Sequence, residues 1–159
     1  MQLSCPSLER SVTIPLRHAR RGVRGGTNLS LPLEWSDVPP GTASFVLTIV
    51  DLHPIARHWL HWAVVDLPGT TTVLPEGASM HERQMPPGAI ELVNTFGDPG
   101  YGGPQPPRGS GPHEYLITLT ALSKPSLELT SGATLNEVER AMRGAVLATA
   151  TLSGRFEQL

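Results

Sequence analysis

Apolar residues gather along this chain in short runs divided by turn-forming residues, a rhythm that predicts strands more than helices. "FVLTIVDL" (45–52) is a continuous apolar, β-branched run ending at Asp51, the mark of a strand covered on both faces. "HWAVVDL" (61–67) is another, broken by "PGTTTVLPEG". "EYLITLTALS" (114–123) alternates, with Tyr115, Ile117, Leu119 and Ala121 to one side and Leu116, Thr118, Thr120 and Leu122 to the other. Apolar residues on both of its faces predict a strand central to a sandwich. "SVTIPL" (11–16), with Pro15 at a strand end or edge, "LSLPLEW" (29–35) and the weaker "GAIELVN" (88–94) add further strand candidates. One helix is predicted, in "TLNEVERAMRGA" (134–145). Thr134 and Glu137 have capping-box spacing there, and Leu135, Val138 and Met142 form an apolar stripe. "VLATATLSGRF" (146–156) reads as a short helical turn passing into a last strand.

Composition supports an all-β reading. The 159 residues include sixteen Gly and sixteen Pro, a turn-rich stock, and no internal repeat or linker divides them, so residues 1–159 are expected to form one domain. Twelve basic and fourteen acidic side chains give a formal net charge of −2, which supplies no global field for nucleic acid or an anionic membrane. The basic loop "RHARRGVRGGTN" (17–28) lacks interleaved aromatics and is expected to be a solvated loop. The single Cys5 excludes an internal disulfide, has no activating partner in sequence, and reads as an inert thiol. "MQLSC" lacks the apolar region of a signal peptide, so a cytoplasmic location is expected. No window approaches the roughly 18 apolar residues of a membrane span, and no stable membrane association is expected.

Two stretches carry the chemistry. "DLHPIARHWLHW" (51–62) holds three histidines, an aspartate and two tryptophans. The spacing of His53, His58 and His61 fits no standard zinc motif, so neither a metal nor a cofactor site is expected. Trp59 and Trp62 read as packing or pocket-wall residues. The second stretch, "GDPGYGGPQPPRGSGPH" (97–113), has eleven Gly or Pro in seventeen residues and leads into His113 and Tyr115. Proline limits such a loop's freedom while glycine lets its backbone approach a ligand. His18, His81 and Arg108 read as exposed loop residues.

In these segments the sequence resembles the phosphatidylethanolamine-binding protein family, including its bacterial members. "LSLPLEWSDVPPGTASFVLTIVD" is similar to the family's S-P-x-L-x-W followed by V-P-x-G-T-x-S and a strand ending in Asp. "HWAVVDLPGTTTVLPEG" is similar to H-W-x-V-x-x-I-P with a downstream L-P-x-G. "NTFGDPGYGGPQPPRGSGPHEY" is similar to N-D-F-G-x-x-G-Y-x-G-P-x-P-P followed by G-P-H-R-Y. The resemblance implies an antiparallel β-sandwich with peripheral helices, among them a C-terminal one, and a small anion pocket at one end. It assigns that pocket Asp51, His61, His113 and Tyr115, with Tyr101 and Pro104 in the loop over it. It also implies a homodimer and regulation through protein partners. Three positions depart from the pattern: D-P-D-x-P is shortened to "DLHP", H-R-Y reads "HEY", and the early S-P reads Leu31-Pro32. The first two exchange an acidic and a basic position, so His53 and Glu114 are expected either to form an ion pair of reversed polarity or to be unrelated surface changes.

The resemblance implies a non-enzymatic protein that binds phosphate, a phosphorylated small molecule or a phosphoryl head group. Imidazoles donate hydrogen bonds and become cationic near neutrality, Tyr115 adds a hydroxyl, and binding is expected to tighten as pH falls toward 6. The same Asp/His/His/Tyr set could serve acid–base hydrolysis, although no serine sits in a nucleophile elbow. A third reading is a scaffold whose pocket is vestigial.

Overall fold

A computed structural model of the chain describes Met1–Leu159. In chain order the strands are β1 (Gln2–Ser4), β2 (Leu33–Ser36), β3 (Ser44–Asp51), β4 (Leu60–Pro68), β5 (Val73–Leu74), β6 (Ile90–Glu91) and β7 (His113–Leu122), followed by helix α1 (Leu135–Met142) and strand β8 (Val146–Phe156). Short 3-10 turns span Pro6–Leu8, Leu16–His18 and Pro54–Ala56. The strands form two sheets, β1-β2-β5 and β6-β4-β3-β7-β8, with every pairing antiparallel. The fold is the expected all-β architecture with peripheral helical pieces.

The pairing of β3 with β7 runs without a break from Ser44↔Leu122 to Asp51↔Tyr115. Side chains alternate along a strand, so Phe45, Leu47, Ile49 and Asp51 share one face, as do Ala121, Leu119, Ile117, Tyr115 and His113. This face is apolar in the middle and turns polar where β3 ends and β7 begins. Between the sheets Trp35 meets Phe45 edge-on, with ring centroids 5.5 Å apart, and Trp62 is fully buried. A second core lies on the outer face, where Val46, Ala63, Val65 and Leu122 pack with Val138 and Ala145. Val138 is the residue that α1 buries completely, a contribution of about 1.5–3 kcal/mol. The helix starts as expected. Thr134 Oγ1 accepts the Glu137 N–H, and the Glu137 carboxylate accepts the Thr134 N–H.

β4 is irregular where it matters. Its register against β3 shifts between Ile49 and Val50, with Ile49 opposite Trp62 and Val50 opposite Leu60. His61 is therefore the extra residue of a β-bulge, released from strict alternation and free to aim toward the polar end of the inner face.

Several local expectations are corrected. Residues 11–16 make no strand: Thr13 forms one isolated bridge with Arg155, Pro15 then removes a donor, and the chain turns. Residues 146–156 contain no helical turn. They pair with β7 along almost their whole length, because alternating Thr and apolar residues suit a pleated ladder. The 17–28 loop is not simply solvated. Arg17, Arg21 and Arg24 are exposed, but His18, Ala19 and Val23 are buried. His18 itself sits at 0% exposure, with its ring nitrogens bonded to Ser7 Oγ at 2.9 Å and the Leu29 carbonyl at 2.8 Å.

Candidate functional site

A cavity of about 210 Å³ opens where β3, β4 and β7 run out into loops. Asp51, His61, His113 and Tyr115 come from these strands, while Ile55, Ala56, Trp59, Phe96, Gln105, Pro106 and Pro107 come from loops. The four strand residues that the family resemblance assigned to a pocket are thus brought together.

Asp51 organises one side. Its Oδ2 accepts a hydrogen bond from His113 Nδ1 at 2.6 Å, and its Oδ1 accepts the His53 backbone N–H at 2.9 Å. His113 Nε2 lies 2.9 Å from Ser110 Oγ, which donates its proton to the Pro107 carbonyl at 2.6 Å. The donor and acceptor roles in the Ser110–His113 contact follow the His113 tautomer. Both ring nitrogens of His113 are thus engaged, one by the Asp51 carboxylate and the other by the Ser110 hydroxyl.

His61 is set differently. Its Nδ1 donates to the Gly102 carbonyl at 2.6 Å, and the Gly102 N–H returns a bond to the His61 carbonyl at 2.8 Å. Burial pushes its pKa below the usual 6.5, outweighing the Gly102 carbonyl and the Asp51 charge that act the other way. At neutral pH His61 is uncharged, and Nε2 is the ring nitrogen without a protein partner. The ring meets Tyr115 edge-on at 5.0 Å and Phe96 at 5.4 Å. Burial raises the Tyr115 phenol above its usual 10, so its hydroxyl keeps its proton.

Three buried side-chain polar atoms in the chain lack a hydrogen-bond partner: Trp35 Nε1, Trp59 Nε1 and the Tyr115 hydroxyl. Two of the three belong to walls of this cavity, and both can donate. No Lys or Arg lies among the walls. Arg20 does touch a wall residue: its guanidinium lies 3.9 Å from the centroid of Phe96 and bonds to Asp98 at 2.6 Å.

The loop expected to cover the pocket contributes through other residues. Tyr101 and Pro104 are not in the walls. The Tyr101 hydroxyl donates to the His18 carbonyl at 2.9 Å and its ring packs on Trp62, while the Pro104 carbonyl accepts the Arg20 N–H. They brace the loop. Gly103 is needed here, because a Cβ would overlap the His18 carbonyl oxygen, and Asn28 Oδ1 accepts its N–H at 2.7 Å. Buried His18 is thus part of the support for the 101–104 turn. Gln105, Pro106 and Pro107, one step further along, form the wall.

His53 and Glu114 make no ion pair. His53 stacks on His113 with ring centroids 3.9 Å apart, and its Nδ1 accepts the Ile55 N–H at 3.3 Å to cap the Pro54–Ala56 turn. Glu114 lies between His113 and Tyr115 on the strand and so points to the other face, opposite Arg155. Sequence reading also missed Phe96, Gln105, Pro106, Pro107 and Ser110. The one available signal was their placement in or beside the Gly/Pro-rich loop. Among the side chains, no group of three or more His, Cys, Asp or Glu is placed to hold a metal ion.

A family model described as phosphatidylethanolamine-binding protein matches residues 6–157. The chain belongs to the phosphatidylethanolamine-binding protein family. It is 37% identical over 158 residues to the UPF0098 protein YbhB of Escherichia coli K12, covering 98% of this chain and 99% of that protein. The crystal structure of Escherichia coli YbcL, described as a new member of the mammalian PEBP family, superposes with a TM-score of 0.89 at 33% identity. That match covers 98% of this chain and 97% of the other. A relative from Mycobacterium tuberculosis, LppC, carries a lipoprotein name. It is 32% identical over 157 residues, covering 99% of this chain and 72% of LppC. In the present chain no helix is long and apolar enough to cross a membrane.

Proposed function

We propose that this member of the phosphatidylethanolamine-binding protein family binds phosphate or a phosphomonoester in the Asp51/His61/His113/Tyr115 cavity without chemical turnover. The observation that carries this reading is the pair of orphaned donors in one small cavity, Trp59 Nε1–H and the Tyr115 O–H. Burying a donor without a partner costs about 1–3 kcal/mol. A ligand rich in acceptor oxygens recovers that cost, and phosphate is such a ligand.

Proton balance sharpens the reading. Asp51 carries negative charge and neutral His61 offers a lone pair at Nε2, so a phosphate dianion would meet an acceptor and a carboxylate. Adding one proton resolves this, whether it resides on the phosphate or on His61. The second pKa of a phosphomonoester is near 6. Above it the proton must come from solvent, and affinity falls roughly tenfold per pH unit. Below it the ligand brings its own proton and affinity levels off.

Calorimetry with inorganic phosphate at pH 8, in two buffers of different ionisation enthalpy, reads this directly. Uptake of about one proton on binding is the expected result. Saturable binding with no proton uptake would overturn the assignment of His61 as an acceptor, and no binding up to several millimolar would overturn the phosphate reading itself.

One observation favours hydrolysis as a second reading: Ser110, His113 and Asp51 are linked in sequence at 2.9 Å and 2.6 Å, as in a nucleophilic triad. Against it, the Ser110 proton points to the Pro107 carbonyl and Ser110 is not in the cavity wall. Turnover of a phosphoester or carboxylester that is lost in Ser110→Ala would establish hydrolysis in place of simple binding.

A further inference from the structure

The cavity has two chemically distinct sides. Its titratable groups stand on strand ends, at Asp51, His61, His113 and Tyr115, while its loop side is formed by Ile55, Ala56, Phe96, Pro106 and Pro107, with Gln105 as the one amide and Trp59 adding an indole face and an unpartnered Nε1–H. A phosphoryl group seated on the strand side would direct its substituent toward the loops. The chemistry of that second side therefore selects the substituent.

No carboxylate there is free to receive a cation. Both oxygens of Asp51 are engaged, by the His53 N–H and by His113, and Asp98 is held by Arg20 at 2.6 Å. The Arg20 guanidinium lies 3.9 Å from the Phe96 centroid, so that aromatic ring already has a cation at its π face. Two more exposed arginines flank the wall in sequence, Arg57 beside Ala56 and Arg108 beside Pro107. An ammonium group would meet apolar side chains and like charge, whereas an apolar group would bury surface against aromatic, aliphatic and proline carbons.

We infer that the ligand is a phosphomonoester with an uncharged apolar substituent, aryl or alkyl, and that an ammonium-bearing phosphoester is the weaker ligand. This rests on the phosphate reading above and adds the identity of the organic group.

The test is a titration series with inorganic phosphate, phenyl phosphate and O-phosphorylethanolamine, at one pH and ionic strength. Phenyl phosphate is expected to bind at least roughly tenfold more tightly than inorganic phosphate, because a ring that loses even modest apolar area to the wall gains that factor. O-Phosphorylethanolamine is expected to bind no more tightly than inorganic phosphate. In Ile55→Glu, a change at a side chain that is 56% exposed, the phenyl phosphate to phosphorylethanolamine affinity ratio is expected to fall about two- to fivefold as the new carboxylate receives the ammonium. If phosphorylethanolamine equals or exceeds phenyl phosphate in the unmodified protein, the inference fails while the phosphate reading stands. An unchanged ratio in Ile55→Glu also overturns it. If none of the three binds, the phosphate reading and the inference fall together.

Discussion

Removing one oxygen from each of two buried tyrosines should move stability in opposite directions. The Tyr101 hydroxyl donates to the His18 carbonyl at 2.9 Å, whereas the Tyr115 hydroxyl has no partner in the protein. Both side chains are buried, Tyr101 at 5% and Tyr115 at 1% exposure, so the change to phenylalanine keeps ring packing in each case. Tyr101→Phe orphans a buried carbonyl and should destabilise by about 1–2 kcal/mol. Tyr115→Phe removes an unsatisfied group and should stabilise the unliganded protein by about 1–2 kcal/mol. In a chain of this size that raises Tm by roughly 2–8 °C. The same Tyr115→Phe change should weaken phosphate binding by roughly ten- to a hundredfold, the value of a hydrogen bond to a charged group. Thermal unfolding of the two variants, with and without phosphate, reads all these effects. A Tyr115→Phe protein less stable than its parent, or one that binds phosphate equally well, would refute the reasoning that this hydroxyl is reserved for a ligand.

Three further outcomes are expected. His18 and His61 are both buried with pKa values lowered by desolvation, so below pH 6.5 the unfolded chain takes up protons that the folded chain refuses. Stability should therefore fall with acidification from 6.5, by up to about 1.4 kcal/mol per pH unit for each histidine. Denaturant midpoints at pH 7, 6 and 5.5 measure this, and a flat profile would contradict it. Thr134→Ala should cost about 1 kcal/mol by breaking the capping box of α1, read by chemical denaturation. Gly103→Ala should cost roughly 3 kcal/mol, since the new Cβ collides with the His18 backbone, and should also displace the 101–104 turn. Its near-neutrality would show that this loop is looser than the hydrogen bonds indicate.

The strands that carry the site were the legible part of the sequence. β3 and β4 announce themselves as largely apolar runs, and β7 by alternation, because most of their positions are covered on both faces of the sheet. Asp51, His113 and Tyr115 were readable from motif likeness, and the pairing of β3 with β7 brings Asp51 beside Tyr115. What stayed hidden depends on tertiary contacts. His18 sits in an arginine-rich stretch that looks solvated, yet three-dimensional packing gives its ring two partners and its carbonyl a third. His53 and Glu114 invited pairing by charge, but strand alternation places Glu114 on the other face and stacking holds His53. The bulge at His61 arises from pairing with β3, which no local pattern in "WLHWA" reveals. The last strand was half misread because its alanines favour a helical turn while its threonines favour a strand, and pairing with β7 decides between them.

The most direct test of the binding site is an NMR titration of the imidazole signals of His18, His53, His58, His61, His81 and His113 with inorganic phosphate, and then with O-phosphorylethanolamine and phenyl phosphate. Saturable shifts at His61 and His113, with His18 and His81 unmoved, are the expected result and would mark the cavity as a working anion site. If His61 and His113 stay still up to several millimolar of each ligand, the cavity does not bind phosphate, and the two orphaned donors in its wall require another partner.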